Sequence, residues 1–306
     1  MTTDKQKTLN LEHEFRGKGL HTGKVARMVL KPAGENTGIV FHRIDLGDDA
    51  FVPAVAENVS STARSTTISS GEASVSTIEH LMSALFGMGV DNAIIEIDNV
   101  EVPILDGSAR PYVEALADDG LKVLDAGKKF ITLPCEVEVR DEASGSFIKA
   151  VPCDDPSIDL TVDFGSKVLG VQDAHWDCST DYSVQIAPCR TFVFFHEIEY
   201  LFNNNLVKGG DVDNAIVIVE HPVSREQVDT LASLFNVPSL DINEDGYLNN
   251  IRLHFPDECG RHKLLDLLGD LSLAGGVVKA KVTAFKPGHS INTRMAQAIR
   301  EAISNK

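Results

Sequence analysis

The order of elements constrains this chain more than any single residue does: a helix, a strand and a helix follow one another in each half. In the first half, STIEHLMSALFGMG (76–89) reads as a helix, with Ser76 and Glu79 at capping-box spacing and Gly87 as the stop. NAIIEI (92–97) reads as a short strand and GSARPYVEALADDG (107–120) as a second helix closed by Gly120. In the second half the same roles fall to RHKLLDLLGDLSLAGG (261–276), stopped by Gly275 and Gly276, then VVKAKVTAF (277–285), then INTRMAQAIREAI (291–303). Strand-like stretches, VARMVLKPA and FITLPCEVEVR, precede the two sets. Similarity between the halves is faint, so the repeat rests on element order. The expected fold is α+β, with two domains of duplicated topology, each sheet packing its helices on one face. A length of 306 residues accords with two domains. The polar stretch DAGKK (125–129) marks the seam, giving domains 1–127 and 128–306. Residues 190–220 read as an aromatic-rich βαβ insert in the second domain, and short Ser- and Thr-rich strands over 41–70 as an addition to the first.

Charge and cysteine usage narrow the chemistry. A net charge of -17 argues against nucleic acid, whose phosphates want a basic face, while leaving room for a local pocket for a phosphorylated small molecule. No apolar run reaches the length that spans a bilayer, so no stable membrane insertion is expected. The start, MTTDKQKTLNLEHEF, lacks the apolar core of a secretory signal. Five scattered cysteines with no C-x-x-C pair fit reduced thiols in a cytoplasm. Any metal here must therefore use histidine and carboxylate.

On the helix 261–276, a step of about 100° per residue gathers Leu264, Leu267, Leu268 and Leu271 on one face. His262, Asp266 and Asp270 fall within about 80° of one another on the opposite face. In the first-half helix, Ile78, Leu81, Met82, Leu85 and Phe86 form the apolar stripe, and His80 points away from it. Taken singly, each polar residue is most often part of a solvated face. Together they suggest more. His-x-x-x-Asp puts an imidazole and a carboxylate on adjacent turns, close enough to chelate one ion, and His80 can supply a third ligand. Glu79 beside His80 suits a general base, and by spacing it suits the capping box equally. Asp270 lies too far along the helix for the same ion but could orient an imidazole, and His289 in FKPGHSIN is available. Lys263 adds a positive charge that could bind a phosphate or polarise an oxyanion.

GKGLHTG (17–23), STIEHL (76–81), EVPILDGSARPYV (101–113), RTFVFFHEIEYL (190–201), RHKLLDLLGDL (261–271) and KPGHSIN (286–292) together resemble, in order, the zinc-dependent UDP-3-O-acyl-N-acetylglucosamine deacetylases of lipid A biosynthesis. The resemblance spans nearly the whole chain. It implies two domains of duplicated topology with helices sandwiched between two sheets, and one catalytic zinc ion held by His80, His262 and Asp266. It implies that Glu79 activates the water at the metal, that Thr191 helps stabilise the oxyanion, and that His289, assisted by Asp270, protonates the departing amine. Lys263 matches a residue contacting the substrate's polar head. Phe192, Phe194, Ile198 and Gly210 match the insert around the sugar and the acyl passage, Leu20 and His21 a loop lining the site, and Asp163 with Phe164 a pair touching the uridine. Judged without the resemblance, Phe192, Phe194 and Ile198 read more readily as core.

The implied partner is a UDP-linked acylated amino sugar, met in the cytoplasm by a monomer. Departures are the longer connection 224–247, Glu197 where Asp is common, and Gly-Gly-Asp at 209–211 where many members have Gly-Gly-Ser. Some members carry a fused dehydratase domain; the sequence stops after INTRMAQAIREAISNK, and none is expected. Two alternatives remain at this level: a zinc amidohydrolase of another amide, and a non-catalytic metal-containing binding protein. Zinc or iron would suit the same ligands.

Overall fold

The computed structural model describes residues 5–203 and 208–304; positions 204–207 of the expected insert lie outside them. Alternation in the sequence becomes one-sided burial in the strands. Ala93–Ile97 and Ser157–Asp163 bury every second side chain, as strands covered on one face do. The first half builds a five-stranded sheet in the order His13–Lys18, Val25–Pro32, Ala93–Ile97, Ile39–Arg43, Phe51–Pro53. Its third and fourth strands are parallel and the other neighbours antiparallel. The second half orders its strands Val137–Asp141, Ser146–Pro152, Val277–Phe285, Ser157–Asp163, Val171–Asp177, again with only the third and fourth parallel. Phe130–Thr132 runs parallel to the start of Val277–Phe285. Near the expected seam, Leu121–Gly127 pairs antiparallel with Lys5–Leu9, which closes the first half on its own N-terminal strand.

Seven helices are described: α1 (Glu79–Met88), α2 (Arg110–Asp119), α3 (Tyr182–Gln185), α4 (Phe195–Asn203), α5 (Arg225–Leu234), α6 (Glu258–Ser272) and α7 (His289–Ser304). α1 and α6 lie against each other, and α6 also packs on Ser157–Asp163 and Val171–Asp177. Leu81 and Leu85 of α1 share one core with Phe41 and Ile95 of the first sheet and with Leu264, Leu267 and Leu268 of α6. Twelve of the fifteen residues of α6 are buried, so its polar face is not a solvated one. That face meets α1 instead of water.

Both ends of α1 differ from the sequence reading. The Ser76–Glu79 capping box does not form: α1 starts at Glu79 without a side-chain cap, and the Ser76 hydroxyl donates to the Val100 carbonyl. Thr77, at φ 58°, breaks the helical path between them. Gly87 lies inside the helix, where a Cβ would fall 2.2 Å from the ring of Tyr182, and the helix stops at Gly89 in the left-handed region. The first half's addition is a three-stranded antiparallel sheet, Val59–Ser61, Thr67–Ser70 and Ala73–Val75, while Ile39–Arg43 and Phe51–Pro53 belong to the main sheet.

The insert pairs Phe192–Phe194 with Ile216–Ile218 in parallel, with α4 crossing between them. The connection 224–247 has a structural role that the sequence reading left unassigned. Ser224 and Gln227 form a true capping box for α5. Val228, Leu231 and Leu240 then join Ile198, Val217 and Leu248 in a second, smaller core under the insert.

Candidate metal centre

The centre lies where α1 meets α6. A Cβ at Gly269 would fall 2.1 Å from the backbone carbonyl oxygen of Glu79, so only glycine lets the two helices come this close. The approach sets the ring of His80 edge-on to that of His262, centroids 4.9 Å apart. Asp266, one turn on from His262, brings Oδ1 to 3.4 Å from His262 Nε2 and 3.6 Å from His80 Nε2. All three are buried, and their ligand atoms lie within 4.8 Å of one another. His262 donates from Nδ1 to the Cys189 carbonyl at 3.0 Å, which leaves Nε2 as the lone-pair nitrogen facing the cluster. Lys263 donates to Asp266 Oδ2 at 2.8 Å, while Asp266 Oδ1 is buried with no hydrogen-bond partner among the described residues. A buried, orphaned carboxylate oxygen flanked by two imidazole nitrogens is a donor set that fits a divalent cation.

The electrostatics agree. Burial pushes His80 down to about 3, with His262 adding to the effect, and burial lowers His262 as well. Both rings are therefore neutral, the form that ligates. Burial opposes the charge on Asp266, yet His262 and Lys263 overcome it and hold the carboxyl below its ordinary value.

A second group of side chains stands beside the three candidate ligands. Asp270 is buried and fully engaged: Oδ1 accepts from the Thr66 hydroxyl at 2.6 Å, and Oδ2 accepts from Asn292 at 2.9 Å and from His289 Nδ1 at 3.0 Å. His289 opens α7, and its Nε2 faces Glu79 Oε1 at 3.9 Å. Burial works against protonating His289, but Asp270 and Glu79 outweigh it and raise the ring to about 9. Burial raises Glu79 to about 7, with His289 resisting and Asp270 and Asp266 adding to the rise. The backbone N–H of Thr66 donates to Glu79 Oε2 at 3.0 Å. One residue of the first half thus touches both the carboxylate on α1 and the carboxylate on α6.

Around this centre the sequence-derived residues fall as follows. The ring of Phe192 lies 6.3 Å from that of His262 and 5.3 Å from Lys263 Nζ. Phe164 packs edge-on to Phe192 and Phe194, at 5.4 and 5.9 Å. Asp163 itself is tied down by the Gly165 amide and by Lys286. Ile198 points into the small core under the insert. Thr191 donates its backbone N–H to the Gly107 carbonyl and accepts from Ile216, joining the insert's base to the Asp-Gly-Ser loop of the first half. The carbonyls of Leu20 and His21 accept from Gly209 and Lys208, so their loop meets the Gly-Gly turn that includes Gly210.

Four positions escaped the sequence reading. Thr66 sits in a Ser/Thr-rich stretch with no local signal. Asn292 is three residues after His289 on α7, a spacing that could have pointed to a shared partner. Glu101 holds the 17–23 loop by accepting from the His21 and Thr22 amides, both at 2.8 Å. Glu258 is buried in a two-point ion pair with Arg190 that fastens the insert's base to the start of α6.

Comparison with known proteins brings in relatives over nearly the whole chain. The family described as UDP-3-O-acyl N-acetylglycosamine deacetylase (LpxC) matches residues 6–231 and 232–301. A bifunctional enzyme LpxC/FabZ of Porphyromonas gingivalis is 44% identical over 299 residues, covering 98% of this chain and 65% of that protein. One from Bacteroides thetaiotaomicron is 42% identical with the same coverage. The UDP-3-O-acyl-N-acetylglucosamine deacetylase of Teredinibacter turnerae is 40% identical over 306 residues, covering 99% of this chain and 91% of that protein. The chain thus spans about 65% of the bifunctional relatives' length and nearly all of the single-function one's.

Proposed function

The chain belongs to the UDP-3-O-acyl N-acetylglycosamine deacetylase family, and from that premise we propose that it hydrolyses the N-acetyl group of UDP-3-O-(3-hydroxyacyl)-N-acetylglucosamine, releasing acetate and the free amine, in lipid A biosynthesis. The observation that carries this reading is the buried pairing of three metal-type ligands with a carboxylate raised to about 7, as suits a base, and an imidazole raised to about 9, as suits an acid.

His80, His262 and Asp266 would hold the ion, and two imidazoles with one carboxylate suit zinc in an open, catalytic site. Bound there, zinc would polarise the acetamide carbonyl and make a water nucleophilic at neutral pH. The chain's own residues do the proton work. Glu79, raised toward neutrality by burial, accepts a proton from the attacking water. His289, kept protonated by Asp270, donates one to the departing nitrogen. Lys263 anchors Asp266 and carries the positive charge that would meet the substrate's polar head. Thr191 is assigned to the oxyanion. Phe192, Phe194, Phe164 and Ile198, with Leu20, His21, Asp163 and Gly210, are assigned to the sugar nucleotide and acyl chain.

We also read the two halves, 1–127 and 128–306, as one duplicated unit with α1 and α6 sandwiched between the two sheets. The matching five-strand order, with the third and fourth strands parallel in both, supports this. Every proposed ligand comes from one copy of the chain, so a monomer suffices. Five free cysteines, three of them exposed, suit the reducing cytoplasm. Among the described residues no helix is long and apolar enough to cross a membrane.

The test is acetate release from that substrate by purified protein, by metal-stripped protein and by stripped protein given back one equivalent of zinc. Activity lost on stripping, restored by zinc and reduced at least about 100-fold in Glu79→Ala is the expected result. Metal-loaded protein that binds the substrate and releases no acetate would overturn the reading.

A further inference from the structure

We propose a second, peripheral site for a transition-metal dication at the open end of the insert, made by His196, Glu220 and His221. The strand register brings these residues together. Phe194 faces Ile218 in the parallel pair, so both chains leave the sheet at the same end. Two residues further along each chain stand His196, at the start of α4, and Glu220, followed by His221. Past Ile218 the strand has ended, which frees the consecutive side chains of Glu220 and His221 from pointing to opposite sides. One ligand atom from each of the three lies within 4.8 Å of the others, and the two imidazole centroids are 5.9 Å apart.

The donor set dictates what would bind. Ligand atoms around a tetrahedral ion with bonds of about 2.0–2.1 Å stand roughly 3.3 Å apart, so small side-chain rotations close the site. Two imidazoles and one carboxylate favour zinc, cobalt, nickel or copper over magnesium and calcium, which prefer an all-oxygen shell. No hydrogen bond or ion pair among the described residues engages the three side chains, whereas the neighbouring Glu197 is paired with Arg64 at 3.5 Å. His196 and His221 are exposed and Glu220 half-buried, so water completes the coordination.

This site is separate from the buried one and does not depend on it. Occupied, it clasps the start of α4 to the segment just past Ile216–Ile218, joining the two segments that leave the insert's sheet at the same end. The ring of His196 stacks on Phe194 at 5.6 Å, and Phe194 packs with Phe164 and Phe192 beside His262. The clasp would therefore steady the aromatic wall next to the metal centre.

The experiment is a zinc and cobalt titration of the stripped full chain, followed by dialysis, metal analysis and backbone hydrogen exchange. Wild type should take up two equivalents. His196→Ala and His221→Ala should each lose one and keep the other, Glu220→Gln should weaken that same one at least tenfold, and His262→Ala should lose the complementary one. Exchange across 195–203 and 216–221 should slow as the second equivalent binds, and excess magnesium or calcium should not displace it. Circular dichroism of the surface variants checks that they fold. A second equivalent that survives in both His196→Ala and His221→Ala would overturn the proposal, as would a wild type whose single equivalent depends on His262. A single equivalent lost in His196→Ala and kept in His262→Ala would instead uphold the peripheral site and remove the buried one.

Discussion

Asp270 is the residue on which the proposed chemistry turns, because it is buried and still takes three hydrogen bonds. Its charge holds His289 protonated to about 9, against the penalty of burial. A raised pKa means that the donor form is complete at neutral pH and is lost as pH rises through that value. The turnover rate should therefore fall on the alkaline side near pH 9. His289→Gln should remove that limb and slow turnover by roughly 10²–10⁴-fold. An unchanged alkaline limb in the variant would dissociate His289 from the proton transfer. Thr66 is the positioning residue on the other oxygen of Asp270, and its amide also steadies Glu79. Thr66→Val removes one buried hydrogen bond to a charged group, about 1.5 kcal/mol, so kcat should drop about tenfold with KM little changed. Thr66→Ser, which restores the hydroxyl, should recover most of the loss. Equal losses in both variants would mean that Thr66 only packs.

At the scale of elements, the decisive contact is α1 on α6. Each helix presents its histidine to the other, and Gly269 allows it because no side chain separates α6 from the Glu79 carbonyl. Gly269→Ala forces a methyl group onto a backbone atom that cannot swing aside, so the helices must part. Overpacking of this kind costs about 1–3 kcal/mol, read as a lower denaturation midpoint. Parting the helices also separates His80 from His262, so zinc affinity should fall in the same variant. A variant with wild-type stability and wild-type affinity would show that the close approach is not required. The insert is fastened more polarly, through the buried Arg190–Glu258 pair and the backbone hydrogen bonds that 208–209 donate to the carbonyls of 20–21.

At the scale of the whole molecule, the proposed ligands come from both halves of the chain: His80 from the first, His262 and Asp266 from the second. An ion bound there ties the halves together and binds only the folded state. Stability should therefore rise by about 2.7 kcal/mol at free zinc one hundred times the dissociation constant. Stripping the metal should lower the melting temperature, and His80→Ala should shrink the difference between stripped and loaded protein to what the peripheral site alone contributes. Equal melting temperatures for wild type in the two states would mean that the centre does not bridge the halves.

The sequence by itself determined the period of each element, the His-x-x-x-Asp face of α6, the Glu-His pair of α1 and the six ordered blocks that identify the family. Those features are local, since they depend on residues a few positions apart on one helix or strand. It could not tell whether Ser76 and Glu79 would form a capping box, whether the polar face of α6 was wet, or where α1 stopped. The backbone at Thr77, the left-handed turn at Gly89 and the packing of α6 on α1 decided these matters. Thr66, 204 positions from Asp270 in the chain, could be found only in three dimensions. Chain order records which side chains a helix displays, but the desolvation and charge that turn them into a site come from whatever the fold sets against that face.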